Sequence, residues 1–481
     1  MEQPAPQSLA EELAASVMGE VIAPDDGRYD TARTVVNSMI DRSPAAVVRP
    51  HGAADVIDVV LAAQRRGLGV AAKCGGHSVA GNGTCGPDAV LLDLSSLKGV
   101  VVDPVTRRAR AGAGVLWGEF DREAQLHGLA TPGGRVTTTG IGGFTLGGGY
   151  GWLSPVHGLA CDNLVAADVV TADGRLVRVD EKSEPELLWG LRGGSSNFGV
   201  VTSFEFALHP VGPMVLAGML IHSLETGAET ARAYRDLVER SPEEIVTGLA
   251  VVQAPPEPFV PPEMVGTPVL AIVVLYVGDP DTGAEALADL RRIGPPLMDL
   301  VQPMPYTAFQ AMLDGFNPPG FRHYHGGRHL TGLTDGAIDA FVQYGAQRLS
   351  PLTQAVMFRH GGAVSRVADD ATAASHRQAT YMLHPIAQWS DPTEDPVHIG
   401  WAKELMAAIE PWETGGVYLN FEQEPEKVRR GYSDDKWSRL VALKDTWDPG
   451  NLFRVNQNVP PSASMPVQRT IALDQPEKTR A

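Results

Sequence analysis

The alternation of apolar and polar residues divides the chain into two textures. Up to about residue 208 the apolar runs are short and separated by glycine turns. Ala45–Arg49, Val70–Lys73 and Val90–Leu94 are brief runs of small and β-branched residues, which predict strands. Ala54–Arg66 (ADVIDVVLAAQRR) spaces its apolar residues along one helical face and stops at Gly67. Val165–Thr171 and Leu176–Val179 flank Asp173-Gly174, a hairpin signal, and Phe198–Leu208 alternates again. After His209-Pro210 the runs lengthen and turn almost wholly apolar: Met214–Ile221, Thr247–Val252 and Val269–Val277, with helical segments at Glu225–Arg240 and Thr282–Ile293. Residues 254–268 carry six prolines, which cannot donate to a ladder and predict a loop. The pattern predicts an α+β chain with a boundary near residue 209 and no internal repeat. The polar last dozen residues are expected to fray.

Composition narrows the class. With 481 residues, 43% hydrophobic and 20% charged, the chain is globular and long enough for two or three domains. Its formal net charge of −18 repels phosphate backbones and anionic lipid, so nucleic acid and membrane surfaces are expected not to be partners. Cys74, Cys85 and Cys161 form no paired spacing, which fits a reducing compartment and argues against a cysteine zinc site. The N-terminal stretch is acidic where a signal peptide is basic, and no run approaches the roughly 18 apolar residues of a membrane span. A cytoplasmic location is expected.

Four features carry candidate chemistry. Gly140–Gly151 (GIGGFTLGGGYG) holds seven glycines in twelve positions, which lets backbone amides approach a ligand closely. It is not a phosphate-binding P-loop, because no Gly-Lys-Ser/Thr follows. The GxGxxG at Gly81, Gly83 and Gly86 runs into Pro87-Asp88 and a strand rather than a helix, so it is not a dinucleotide fingerprint. Lys73-Cys74-Gly75-Gly76-His77-Ser78 follows a strand and presents an imidazole on a glycine turn; alone, such a histidine is more often structural. Tyr418-Leu419-Asn420 lies on a strand predicted over Gly416–Glu422, where alternation would aim Tyr418 and Asn420 at one cavity. Phe321–His329 (FRHYHGGRH) concentrates arginine, histidine and aromatics in an acidic chain. Arg322, His323, His325, Arg359, His360 and Tyr381 are all candidates for a substrate wall, and the sequence does not choose among them. HExxH, EF-hand and GxSxG patterns are missing.

Taken in order, KCGGHSVAG, GGRVTTTGIGGFTLGGGYGWL, HGLACDNLVAADVVTADG, RGGSSNFGVVTSFEF and YSDDKWSRLVALKDTWDPGNLFRVNQNVPP resemble the vanillyl-alcohol oxidase, or PCMH-type FAD-binding, superfamily. The closest resemblance is to its berberine-bridge-enzyme-like FAD oxidases. The resemblance implies a two-domain α+β fold: an FAD domain of residues 1–208 and 425–481, and a substrate domain of residues 209–424 with an antiparallel sheet backed by helices. It implies FAD bound covalently to the histidine of the GGHS motif, His77. Relatives with a second attachment use a cysteine near Val136, which cannot form a thioether, and Cys161 falls after the glycine run. A single bond through His77 is therefore expected.

By motif position, Cys74, Gly75, Gly76, Ser78 and Gly81 are expected to line the pyrophosphate. Thr138, Thr139 and Gly140 are expected near the ring or phosphates, and Gly142, Gly143, Gly147, Gly148 and Gly149 close against the cofactor. Asp162, Asn163 and Val200 are expected on the adenine or pyrophosphate side, and Asn456 and Asn458 back at the ring. The YxN pattern resembles the substrate-side motif of these oxidases, which implies catalytic roles for Tyr418 and Asn420, with Tyr418 as base. A phenol has a pKa of about 10, so that role requires a depressed value. The implied reaction is hydride transfer from a small organic substrate, such as a secondary metabolite, with O2 reoxidising the flavin to give H2O2. The HSxAG, TGxGG and YxNF motifs also resemble a bacterial polyketide-pathway subgroup that includes the enterocin-pathway flavoenzyme. That likeness implies oxygenation as the alternative, with Thr139 where O2 must enter.

Overall fold

The computed structural model describes residues 8–258, 260–347 and 349–465, so the terminal dozen residues expected to fray lie outside the described residues. A four-stranded sheet opens the fold, with Val47–Arg49 and Gly69–Lys73 both parallel to Ala89–Asp93 and Glu20–Ile22 on the edge. The helix Ala53–Arg65 makes the parallel crossover and buries Val56, Val59, Val60 and Ala63 at helical spacing. A five-stranded antiparallel sheet follows, in which Leu164–Val170 pairs with Leu176–Asp180 and with Val200–Ala207.

The second texture becomes a large antiparallel sheet. Met214–Ser223, Pro268–Tyr276, Ile245–Gln253, Gln354–Arg359 and Tyr381–Trp389 lie side by side. Leu270, Ile272 and Val274 face the helices Gly227–Val238, Asp335–Gly345 and Asp395–Ile409. Val269, Ala271, Val273 and Leu275 face the other way, onto Tyr150, Trp152, Leu153 and Tyr418. Burial on both faces is why these strands read as unbroken apolar runs.

Two expectations fail locally. The helix expected over Thr282–Ile293 is Pro280–Ala286 followed by a short three-residue turn at Leu290–Arg292. Leu287 and Leu290, three positions apart, still bury together, so the core is served without a continuous helix. The strand expected over Gly416–Glu422 is Glu413–Val417, and Leu419–Phe421 is a tight 3-10 turn.

The C-terminal helix Asp434–Trp447 returns to the first core, where Leu440, Leu443, Leu452 and Phe453 pack with Leu187 and Phe198. A fully buried ion pair fixes the return. Lys444 Nζ lies 2.7 Å from Asp448 and donates to the carbonyls of Asn197 and Phe453. Asp448 in turn accepts from the amides of Leu452 and Phe453. Among the described residues no helix is long and apolar enough to cross a membrane.

Replacing Lys444 by Met strands the buried Asp448 charge. The expected loss is about 3–5 kcal/mol of unfolding free energy, measured by urea denaturation.

Candidate active site

Two glycine-bearing loops meet backbone to backbone. A Cβ on Gly75 would collide with Thr138 O and Gly140 N, and one on Gly140 would collide with Cys74 Sγ and Gly75 N. Gly76 sits at φ +67°, which turns the chain so that His77 faces the second loop. There His77 Nε2 lies 2.7 Å from Thr138 Oγ1. Burial pushes the imidazole down to about 4, so it is neutral at physiological pH.

A deep cavity runs from these loops to the apolar face of the large sheet. Cys74, Gly75, Gly76, His77 and Ser78 lie on its wall, with Thr139, Gly140, Gly143, Asn420 and Asn456. Other expected residues lie behind it. Thr138 holds His77. Gly81 forms a turn against Ile40, at φ +75°. Gly142 faces Phe204 in the core. Gly147 packs on the Asn420 amide, and Gly148 and Gly149 take positive φ beside Tyr418 and Phe144.

Asp162, Asn163, Val200 and Asn458 are off the cavity wall. Asp162 receives both arms of Arg377, at 3.0 and 2.6 Å. Asn163 is bound to the carbonyls of His157 and Leu159 and to His209 Nε2. Val200 is spent pairing with Val170. Asn458 is flanked by contacts that stitch its neighbours to the 194–197 loop, with Asn197 donating to Gln457 O and accepting from Val459 N.

Tyr418 and Asn420 do converge, but through the turn and not through a pleat. Tyr418 Oη accepts from the Tyr150 amide at 2.8 Å and from Asn420 Nδ2 at 3.2 Å. Asn420 Nδ2 also donates to Phe144 O. Burial outweighs these donors and the nearby Arg135, and raises the phenol above its ordinary value. The depression required of a tyrosine base is not present.

The sheet face supplies residues that sequence reasoning had left open or missed. Of the open candidates, His325 is on the wall. Arg322 pairs with Asp395, and His360 stacks on Tyr150 behind the wall. Tyr381 packs on the helix side of the sheet, and Tyr150 Oη donates to the Arg359 carbonyl. His384, Arg135, Tyr150, Trp152, Phe358 and Gln457 were missed. His384 Nε2 lies 3.1 Å from His325 Nδ1, while His384 Nδ1 and His325 Nε2 are buried without partners. Among the described residues no aspartate or glutamate is on the wall. The one available signal was a lone histidine in the apolar run Tyr381–Trp389.

Comparison with known proteins identifies the scaffold. A family described as FAD binding domain matches residues 44–180, and one described as berberine and berberine like matches residues 417–460. (R)-6-hydroxynicotine oxidase of Paenarthrobacter nicotinovorans is 30% identical over 467 residues, spanning 93% of this chain and 98% of that protein. The chain belongs to the berberine-bridge-enzyme-like family of FAD-linked oxidoreductases. The crystal structure of 6-hydroxy-D-nicotine oxidase from Arthrobacter nicotinovorans superposes with a TM-score of 0.83 at 27% identity, over 95% of this chain and 99% of that one. FAD-dependent monooxygenase FUP4 of Fusarium proliferatum is 36% identical over 214 residues, 43% of this chain and 41% of that protein.

The cavity fits the FAD of this berberine-bridge-enzyme-like chain. A Cβ on Gly143 would meet nothing within 4 Å and would stand in the cavity. Asn456 donates to Ser196 O and Phe453 O, which leaves its buried Oδ1 on the wall without a partner. Ser195, held at φ +63°, donates to Gln457 Oε1 and closes that end. Cys74 donates weakly to Val115 O, and burial raises its thiol to about 11, so it stays protonated. Cys161 is buried behind the wall. Val136 is on the wall.

Gly143→Ala is expected to leave the apoprotein's thermal midpoint unchanged while weakening FAD uptake at least about tenfold, since the added methyl has only the cavity to fill. Reconstitution followed by flavin absorbance checks it. His77, His323 and His360 are each held down to about 4 by burial, against about 6.5 when unfolded. Between those values the unfolded chain binds more protons, so stability falls as pH drops from about 6.5 to about 4. Asp121, raised to about 7 by burial, opposes this as a single group. The thermal midpoint is therefore expected to fall across that window.

Proposed function

We propose that the protein is an oxidase of small hydroxylated organic molecules, with FAD attached through His77 alone. The observation that carries this reading is the neutral imidazole of His77 facing a glycine-walled cavity that ends on an apolar sheet. Bound FAD supplies a hydride acceptor that O2 regenerates with release of H2O2. Thr138 occupies Nε2 of His77, which leaves Nδ1 as the attaching nitrogen. Val136 offers no second attachment.

The proton-handling group is the His325–His384 pair. A neutral pair joined by one hydrogen bond presents one N–H and one bare nitrogen at its outer atoms, whichever tautomer it adopts. Both outer atoms lack partners, so a substrate hydroxyl can give its proton to the bare nitrogen. Phe421 stacks on His384 with ring centroids 3.5 Å apart and fixes its plane. Tyr418 keeps its proton and positions Asn420 and the Tyr150 amide.

A second reading is oxygenation of the substrate. The stretch shared with a monooxygenase favours it, and Thr139 lies on the cavity wall. Under labelled O2, label in the organic product assigns oxygenation, and label only in peroxide assigns the oxidase.

Acid precipitation of the holoprotein is expected to leave a yellow pellet whose tryptic flavopeptide contains His77. His77→Ala is expected to release the colour into the supernatant. Flavin on Cys161, or none bound covalently, would overturn the attachment. His384→Gln is expected to slow flavin reduction by substrate about 10²–10⁴-fold with the bound-flavin spectrum retained, measured anaerobically by stopped flow.

A further inference from the structure

Arg135 is a cation without an anion. Its guanidinium carbon lies 3.5 Å from the centroid of the Phe358 ring, 4.7 Å from that of Tyr150 and 4.8 Å from that of Trp152. Among the described residues it forms no ion pair and no hydrogen bond, and its buried Nε has no partner. The groups that act on its charge are tyrosines and burial; no carboxylate contributes. Arg135 forms part of the cavity wall, and among the described residues the wall carries no aspartate or glutamate.

Three aromatic faces attract a cation and hold its plane, but they accept no conventional hydrogen bond. The five N–H donors of a guanidinium match an oxyanion, and a buried charge is ordinarily paired. Arginine keeps its charge here even though burial lowers it to about 10. An oxygen anion on a molecule bound in the cavity would match these donors. The surrounding wall gives the shape of the rest of that molecule: Met219, Ala271, Val273, Val356 and Ile386 offer a flat apolar surface. Arg135 also acts on the charge of His384, so the guanidinium and the histidine pair address the same region.

We propose that Arg135 is the substrate's anion seat, so that the substrate is an apolar, ring-sized molecule carrying an acidic oxygen: a phenol, an enol or a carboxylate. This deepens the oxidase reading and rests on it for the word substrate. The His325–His384 pair takes the proton of a phenol or enol, and Arg135 receives the oxyanion that remains. No electron transfer is involved in this step; the O–H bond breaks, an N–H bond forms, and the charge stays beside the guanidinium.

Benzoate and its neutral isostere benzamide test the charge, with binding to the holoprotein read from tryptophan fluorescence, since Trp152 touches the guanidinium. Benzoate is expected to bind at least tenfold more tightly, and Arg135→Met to abolish that preference while leaving the bound-flavin spectrum unchanged. Because removing an unpaired cation relieves a desolvation cost, the variant is expected to unfold no earlier than the wild type. The wild type alone gives a second measurement: bound 4-nitrophenol should ionise at a pH about one unit lower than free. Ionisation of 4-nitrophenol without benzoate preference assigns a phenol or enol; benzoate preference alone assigns a carboxylate. Equal binding of benzoate and benzamide together with an unshifted nitrophenol overturns the inference, as does a flavin spectrum that changes in Arg135→Met while the benzoate preference persists. A colourless protein that still prefers benzoate upholds the anion seat and overturns the oxidase reading; a yellow one with neither benzoate preference nor a shifted nitrophenol overturns the anion seat alone.

Discussion

The contact between Gly75 and Gly140 governs the geometry of the site. Each glycine occupies space that the other's Cβ would need, so two loops from distant parts of the first half touch through bare backbone. Because they touch, Thr138 reaches His77 across the seam. The loop at 194–197 is drawn to the same cavity by Gln457 and Asn197, which in turn depends on the buried Lys444–Asp448 pair that bends the C-terminal segment back.

Water exclusion then sets the chemistry. Burial keeps the imidazoles of His77, His325 and His384 neutral; at His77 it outweighs the pull of the Asp314 carboxylate, and the charges acting on His325 and His384 are other histidines and Arg135. A neutral imidazole is the form that can attack as a nucleophile or accept a proton. The same burial works against Tyr418, whose neutral form is the protonated one. One physical cause therefore holds histidine and tyrosine alike in their uncharged forms, the imidazole with a bare nitrogen and the phenol with its proton. Arg135 completes the inventory as a cation balanced by aromatic faces alone.

The large sheet links the two halves of the site. Its helix-covered face is an ordinary core, and its other face is shared between packing and cavity. Val273 and Ala271 serve the cavity while Leu270 and Ile272 serve the helices. Strand alternation thus lets one strand carry stability on one side and substrate shape on the other.

The residues by themselves specified a good deal. The apolar runs located three long strands of the large sheet to within a few residues, because burial on both faces writes an unbroken signal, while Tyr381–Trp389 and Gln354–Arg359, broken by His384, Pro385, Gln388 and Arg359, went unread. The glycine run and the GGHS turn marked the two loops that meet at the cavity, because close backbone approach tolerates no side chain. What the chain could not reveal locally was the partner of each polar group. Asp162 looks like any carboxylate beside a cofactor motif until Arg377, 215 positions away, takes both its oxygens. Tyr418 and Asn420 look like strand neighbours until the strand ends at Val417. His384 carries no motif, and Arg135 has no assigned role within the GGRVTTTGIGG stretch; their meaning comes from an imidazole 59 residues distant and from three aromatic rings of two segments, Tyr150 and Trp152 on one and Phe358 on the other. Periodicity encodes which side of an element is buried, but charge and proton affinity depend on neighbours that only the tertiary structure brings together.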